Sequence, residues 1–204
     1  MTRRGPLSAP EPQPQHDSDI GDVRAAQRDR AAFGALYRRY VERVYGYCFY
    51  LLGDHHDAED ATERTFLAAL GAIDRFRDDG ATFRAWLFRI AHNELANSLR
   101  QRHRRHGRTT RLEDGPEPMA DVDPARLVGV ADEARRLRAA VSRLSDDRRQ
   151  VIVLRFVDGL SAREIGVVLG RSEGAVRVLQ HRALRDLAAL LAARPDSGVS
   201  PAAV

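Results

Sequence analysis

The side chains with most to offer a ligand are Arg177, His181, Arg182 and Arg185, on a stretch where Val176, Leu179 and Ala183 keep the inward spacing of a helix. A helix laid in the major groove of duplex DNA presents such groups to base edges, and Arg reads guanine through two hydrogen bonds. Gly174 and Ala175, near the start of that helix, are small enough for backbone to approach a phosphate, where the helix dipole favours an anion. A first helix and a turn must hold this face in place. Ser161 and Glu164 have the spacing of a capping box, with Leu160 and Ile165 placed as a hydrophobic staple. Ile165, Val168 and Leu169 make the inner face of the short helix, Gly170 supplies a left-handed end, and Ser172 caps the second helix. The pattern reads as a helix-turn-helix that binds DNA. The same residues would also suit two amphipathic helices that merely pack, with a solvated Arg face.

Composition narrows the class. The chain has 204 residues, enough for one large or two small domains, and none of its 33 basic residues is Lys. Arg keeps its charge at any relevant pH and grips phosphate with a planar fork, although a total absence of Lys equally fits a genome rich in G and C. Against 29 acids the net charge is only +4, so any strong positive field depends on how charges are distributed. The single cysteine, Cys48, lies in an apolar helical stripe and reads as a small buried hydrophobe. No apolar run approaches the ~20 residues that cross a bilayer, and the N-terminus has no signal-peptide core, so the expected location is cytoplasmic without membrane insertion.

An all-α fold with two small domains is expected. Residues 1–21, rich in Pro, Asp and Arg, read as a disordered tail. The first domain, 22–106, opens with Asp29 as an N-cap and a stripe of Phe33, Leu36, Tyr37, Tyr40, Val41, Val44, Cys48 and Leu51 ending at Gly53. Asp54 starts a second helix with Ala58, Ala61, Thr65, Phe66 and Ala69 inward and Asp57, Glu59, Asp60 and Glu63 outward. Thr82 caps a third, in which Trp86, Leu87, Ile90, Ala91 and Leu99 are apolar and the last turns carry Arg100, Arg102, Arg104 and Arg105. Trp86 reads as core. Residues 107–130 have linker composition, and about two dozen extended residues would reach roughly 80 Å. The second domain, 131–193, has Leu137, Val141 and Leu144 on one helix, a Ser145 cap, then Val151, Ile152, Leu154 and Phe156, and ends in the helix-turn-helix as a four-helix unit. Residues 194–204 read as a frayed tail.

Three further blocks lead to a family. They are Asp57-Ala58-Glu59-Asp60-Ala61-Thr62-Glu63-Arg64-Thr65-Phe66-Leu67, Phe83-Arg84-Ala85-Trp86-Leu87-Phe88-Arg89-Ile90-Ala91-His92-Asn93, and Asp147-Arg148-Arg149-Gln150-Val151-Ile152-Val153-Leu154-Arg155-Phe156 running into the helix-turn-helix. In order and separation they resemble the extracytoplasmic-function group of the sigma-70 family, over roughly residues 25 to 190. The resemblance implies a non-catalytic specificity subunit of bacterial RNA polymerase, needing no cofactor. Its partners would be the core enzyme, through the clamp of the largest subunit and the flap of the second-largest, promoter DNA, and an anti-sigma factor of the kind typical in the family.

The family pattern assigns roles. The acidic face Asp57, Glu59, Asp60 and Glu63 would dock on a basic coiled coil of the clamp, where complementary charge fixes register; four acids near a helix start also favour the helix dipole. Arg75, Phe76, Arg89, Asn93 and Asn97 would line the site where the minus ten element is opened, since unstacking a base costs a few kcal/mol that the protein must offset. Arg100, Arg102, Arg104 and Arg105 would meet duplex phosphate upstream. In the second domain Arg177, His181 and Arg182 are the expected base contacts at the minus thirty-five element, with Arg171, Ser172 and Arg185 on phosphate. Arg64 replaces a Glu usual in the family, Ala68-Ala69-Leu70-Gly71 replaces a segment that often carries Arg and Trp, and Val178, Leu179, Gln180 and Leu184 replace residues more often polar or basic. Promoter preference is therefore this chain's own.

Two other functions fit parts of the pattern. A helix-turn-helix regulator acting without core polymerase would use the first domain to sense a ligand or dimerise, and would bind its operator tightly alone. His55, His56, Asp57, Asp60 and His92 suggest a metal phosphohydrolase of the HD type, because imidazole and carboxylate together hold divalent metals. That family needs an upstream His, and none lies between His16 and His55.

Overall fold

The structure, a computed structural model, describes residues 15–78, 81–106 and 136–192, with side chains for 19–78, 81–98, 100 and 136–192. Regular structure among them is helical throughout. The first body comprises α1 (Gln15–Arg28), α2 (Phe33–Leu52), α3 (His55–Ala72) and α4 (Phe83–His106). Its core is the α2 stripe Phe33, Leu36, Tyr40, Val44, Tyr47 and Cys48 against Ala58, Ala61, Phe66 and Ala69 of α3 and Phe83, Leu87, Phe88 and Ala91 of α4. All five residues expected to face inward on α3 are buried. On α2 the stripe is shifted at its edges: Tyr37 is exposed, Val41 and Leu51 are half-buried, and Tyr47, Phe49 and Leu52 are buried instead.

α1 corrects the expected tail, because helix already runs from Gln15. Its acids, with Pro and Arg, are what made this segment look disordered, and they are met by partners 17 to 21 residues away: Arg39 donates to Asp19 and Asp22, both at 2.6 Å, and Tyr40 donates to Asp19. Val23 and Ala26 of α1 are buried on the same side, and Gln27 donates to the carbonyls of Ile73 and Phe76. Asp29 is a cap, but of a single 3-10 turn (Arg30–Ala32) that leads into α2, accepting from the Ala31 amide.

The second body has a short helix over 136–142, here α5, then α6 (Asp146–Ile152), α7 (Ala162–Leu169) and α8 (Glu173–Ala192). α6 runs on through a π turn, Val153–Val157, which Asp158 ends. Val151, Ile152 and Leu154 are buried as expected, whereas the extra residue per turn swings Phe156 and Val157 out to about half exposure. Leu137, expected inward, is exposed, and Ser145 sits at the cap position of α6 without a side-chain capping bond.

The two bodies are in direct contact, α7 against α4 and the 153–157 turn against α2. The expected linker, 107–130, and the tail 194–204 lie outside the described residues.

Candidate nucleic-acid and polymerase-docking surfaces

The helix-turn-helix is built as its residue types dictate. Ser161 accepts from the Glu164 amide while the Glu164 carboxylate accepts from the Ser161 amide, closing the capping box. Leu160 and Ile165, the staple, are fully buried. Gly170 takes φ 64, and its backbone N–H reaches the Gly166 carbonyl. Gly166, which spacing alone did not single out, is where the turn folds back hardest: a Cβ there would lie 2.6 Å from the Arg171 carbonyl oxygen. Ser172 accepts from the Ala175 amide at 3.2 Å, so its hydroxyl is committed to the cap.

On α8, Val176 and Ala183 are buried and Leu179 is half-buried, which leaves Arg177, His181, Arg182 and Arg185 exposed on the outer side. Arg177 is held by Glu173 one turn back, at 2.6 and 3.2 Å, and Arg171 by Asp147 on α6. Val178 and Leu184 add exposed apolar surface beside these bases.

On the first body, Arg89, Asn93 and Asn97 fall at i, i+4 and i+8 of α4 and all are exposed, forming one stripe. Asn97 accepts from Arg100, which is also exposed. Arg102, Arg104 and Arg105 lie on the last turns of α4, their side chains outside the described set. Arg75 is exposed at the end of the 3-10 turn Ile73–Arg75. Phe76 is a correction: at 5% exposure it is packed edge-on against Phe83 and Trp86, 5.8 and 5.3 Å between centroids, and offers no free face to a base. Trp86 is half-buried in that cluster, core on one side only.

On α3, Glu59 and Glu63 are exposed, and Asp57 and Asp60 half-buried. Asp60 pairs with Arg64 at 3.7 Å, and Arg64 also reaches Glu94 at 3.9 Å and donates to Ser98 on α4. The departure at Arg64 thus ties α3 to α4. Leu67, 60% exposed, continues the line of Glu59 and Glu63 one turn further on.

Sequence reasoning missed a polar cluster between the bodies. Arg84 grips the Glu164 carboxylate in a bidentate pair, Nε donating to Oε1 at 3.2 Å and Nη2 to Oε2 at 2.8 Å, and Thr82 donates to the same carboxylate at 2.7 Å. Glu164 was legible as a cap and Arg84 as part of a block, but their pairing joins positions 80 residues apart, which no local spacing reveals. These hydrogen bonds outweigh desolvation and hold the Glu164 carboxyl below its ordinary value, while burial alone acts the other way. Nearby, Arg43 of α2 donates to the Asp158 carbonyl and lies 4.0 Å from its carboxylate, whose oxygens accept no hydrogen bond. Burial pushes the Asp158 carboxyl up to about 8, against the lowering influence of Arg43 and Arg84. His92 is half-buried, its pKa lowered by burial and partly restored by Asp147 of the other body.

Burial drives the Cys48 thiol up to about 12, which makes it an inert core residue. The candidate metal set does not assemble. His55 lies against the Tyr45 hydroxyl and the Phe49 ring, His92 lies near Tyr47, and among the described residues no group of three His, Cys, Asp or Glu could hold a metal ion. Among those residues too, no helix is long and apolar enough to cross a membrane.

Comparison with known proteins agrees with this layout. Residues 36–105 match the model of Sigma-70 region 2, and residues 134–187 that of Sigma-70, region 4. The chain is 38% identical over 184 residues to the ECF RNA polymerase sigma factor BldN of Streptomyces coelicolor, covering 87% of this chain and 69% of that one. It is 32% identical to the ECF sigma factor SigW of Bacillus subtilis, covering 76% of this chain and 86% of that one. Among solved structures, CnrH in complex with the cytosolic domain of CnrY matches with a TM-score of 0.67 at 29% identity, over 88% of this chain and all of that one. With both regions matched in order, and a relative of this identity covered over more than two thirds of its length, the chain belongs to the extracytoplasmic-function group of the sigma-70 family of RNA polymerase sigma factors.

Proposed function

We propose that this chain joins the core RNA polymerase in the cytoplasm and directs initiation at a particular set of promoters, without catalytic chemistry of its own. The first domain, 22–106 extended back to Gln15 by α1, docks on the polymerase clamp and opens the minus ten element; the second, 131–193, reads the minus thirty-five element and meets the flap. The observation that carries this reading is the intact helix-turn-helix, capping box and left-handed Gly170 included, with Arg177, His181 and Arg182 turned outward from a buried seam. A scaffold this sharply defined fixes the angle at which those side chains enter a groove.

Each surface has matching chemistry. Arg177, His181 and Arg182 take base edges, Val178 and Leu184 suit thymine methyl groups, and Arg171 and Arg185 take phosphate. Ser172 contributes through the helix start it caps, where backbone N–H groups face an anion. Arg89, Asn93 and Asn97 form the polar stripe for an unpaired strand, Arg75 lies at the loop before it, and Arg100, Arg102, Arg104 and Arg105 follow the upstream duplex. Glu59 and Glu63, with Asp57 and Asp60 beside them and Leu67 in line, combine acid with an apolar anchor, as a specific docking surface requires. The half-exposed Phe156 and Val157 are apolar surface suited to the flap. A masking partner of the anti-sigma kind is part of the reading, by likeness to CnrH, seen with CnrY.

Transcription with purified core polymerase on a genomic DNA library tests it. A defined set of start sites that depends on the chain is expected. Tight, sequence-specific binding by the chain alone, with no effect on polymerase, would overturn it in favour of a free-standing regulator.

A further inference from the structure

The turn that carries Arg75 is tied to a helix far from it in the chain. Gln27, near the end of α1, donates from its side-chain Nε2 to the carbonyls of Ile73 and Phe76, at 3.0 and 3.1 Å. One amide nitrogen thus commits both its hydrogens to the carbonyls that bracket a single 3-10 turn. α1 is itself pinned to α2 through Asp19, Asp22, Arg39 and Tyr40, which makes it a firm anchor. Other ties on the segment do less to place it. Arg77 donates to the Asp74 and Phe76 carbonyls, which stiffens the turn but moves with it. The Arg30–Asp74 ion pair, with both side chains more than half exposed, adds little. The Phe76 ring lies edge-on against Trp86, 5.3 Å between centroids, and apolar packing is less directional than a hydrogen bond. Trp86 stands within about 60° of Arg89, Asn93 and Asn97 around α4, at the N-terminal end of their stripe, so Phe76 and its neighbour Arg75 border the head of that stripe.

We propose that Gln27 is a positioning residue for the minus ten site: by holding the Ile73 and Phe76 carbonyls it fixes the turn against the head of the Arg89, Asn93 and Asn97 stripe, and with it the place of Arg75. The inference rests on the sigma reading above for what that stripe does. A residue that touches no DNA still acts on opening in this way, since an unpaired base is captured only where its partners already stand, and a shift of about 1 Å forfeits a hydrogen bond. Each of the two carbonyls also has a second donor, the Phe76 amide at 3.1 Å for Ile73 and Arg77 at 2.9 Å for Phe76. Losing Gln27 therefore strands neither acceptor, and its removal bears on where the turn sits rather than on whether the domain folds.

Gln27→Met, in the full chain, keeps the length of the side chain and its fitness for a helix while deleting both donors. Gln27→Glu keeps the shape and sets carboxylate oxygen against two carbonyls. Each is assembled with core polymerase on a promoter recovered from the genomic library, beside versions with single base changes in either element, and permanganate reactivity of unpaired thymines reads opening. Gln27→Met should open about tenfold less of the promoter, on the scale of one or two hydrogen bonds, and discriminate less among minus ten bases, with minus thirty-five preference, core association and melting temperature as in wild type. Gln27→Glu should open less still. Adding Arg75→Ala to Gln27→Met should lose no more than the larger single change, because both act through one turn. Unchanged opening in both Gln27 variants, or additive losses in the double variant, would overturn the proposal. So would a loss shared equally by both elements with a lower melting temperature, which would make Gln27 a purely structural residue. A wild-type chain that selects no start sites would overturn the sigma reading instead, and that result is seen before any variant is compared.

Discussion

Replacing Asp158 by Asn should stabilise this protein at neutral pH, and the structure sets the scale. Asp158 is 1% exposed, accepts no hydrogen bond through its carboxylate, and has Arg43 at 4.0 Å, outside good pairing distance. Burial therefore wins, lifting its carboxyl from 3.8 to about 8 in the folded chain. The folded state then holds a proton that the unfolded state releases. Stability contributed by the neutral acid is full below about pH 4 and falls as pH rises towards 8. At pH 7 the loss spans about three pH units, about 4 kcal/mol at most at ~1.4 kcal/mol per unit. Asn has the same shape and cannot ionise, so it escapes that loss. Urea denaturation at pH 5, 7 and 8.5 checks this. Wild type should weaken steadily across the series, and the variant should lack that part of the slope and be the more stable by pH 7. A variant less stable than wild type at pH 8.5, where the wild-type group is at least half ionised, would show that Arg43 pairs with the anion at a net gain, and the argument from burial would fail.

Other perturbations probe the remaining surfaces. Arg182→Ala should lose about 1 to 3 kcal/mol on the preferred minus thirty-five element in a holoenzyme footprinting titration and relax preference at one position; an equal loss on all sequences would make it a phosphate contact. Reversing charge at Asp60 and Glu63 together should abolish association with core polymerase in a pull-down while circular dichroism stays unchanged, and undiminished association would remove the acidic face from the docking surface. Leu67→Ser should weaken the same association without lowering the melting temperature, because the side chain is already 60% exposed. Gly166→Ala should impair folding of the second domain, read by far-ultraviolet dichroism and tryptic sensitivity, since its methyl would meet backbone rather than a movable side chain; normal stability would mean that the turn relaxes freely.

What could be read from the chain followed the range of the interactions. The capping box at Ser161 and Glu164, the inward set of α3 and the outward residues of α8 depend on neighbours three or four positions away, and all appear as expected. α1 did not, because Asp19 and Asp22 read as solvent-loving until Arg39 and Tyr40 are brought beside them. Phe76 was assigned to the minus ten site through the family pattern, and only the angle between its segment and α4 turns it into the cluster with Phe83 and Trp86. Phe156 was displaced by a π turn, which shifts helical phase by a fraction of a turn and cannot be seen in spacing counted at 3.6. The exposed side chains of α8 were nameable from amphipathic phase alone, whereas the Arg84–Glu164 pair was not, being a property of how two domains meet.

The placement of these parts constrains the order of events. Glu59, Glu63 and Leu67 are exposed while the two bodies are in contact, so the surface of α3 proposed to face the clamp is open before any domain separation, whereas Thr82 and Arg84 are covered by Glu164. A closed form favoured about ten- to a hundredfold needs only about 1.4 to 2.8 kcal/mol, on the scale of a close ion pair at an interface. Docking at α3 changes nothing in that balance by itself, because a partner that binds both forms equally shifts neither. The shift must come from a contact possible only when the domains are apart, and the second domain's grip on a distant part of the polymerase is such a contact. Core enzyme would therefore be met first through the first domain, and the parting of the two bodies would follow as the second domain reaches its own contact.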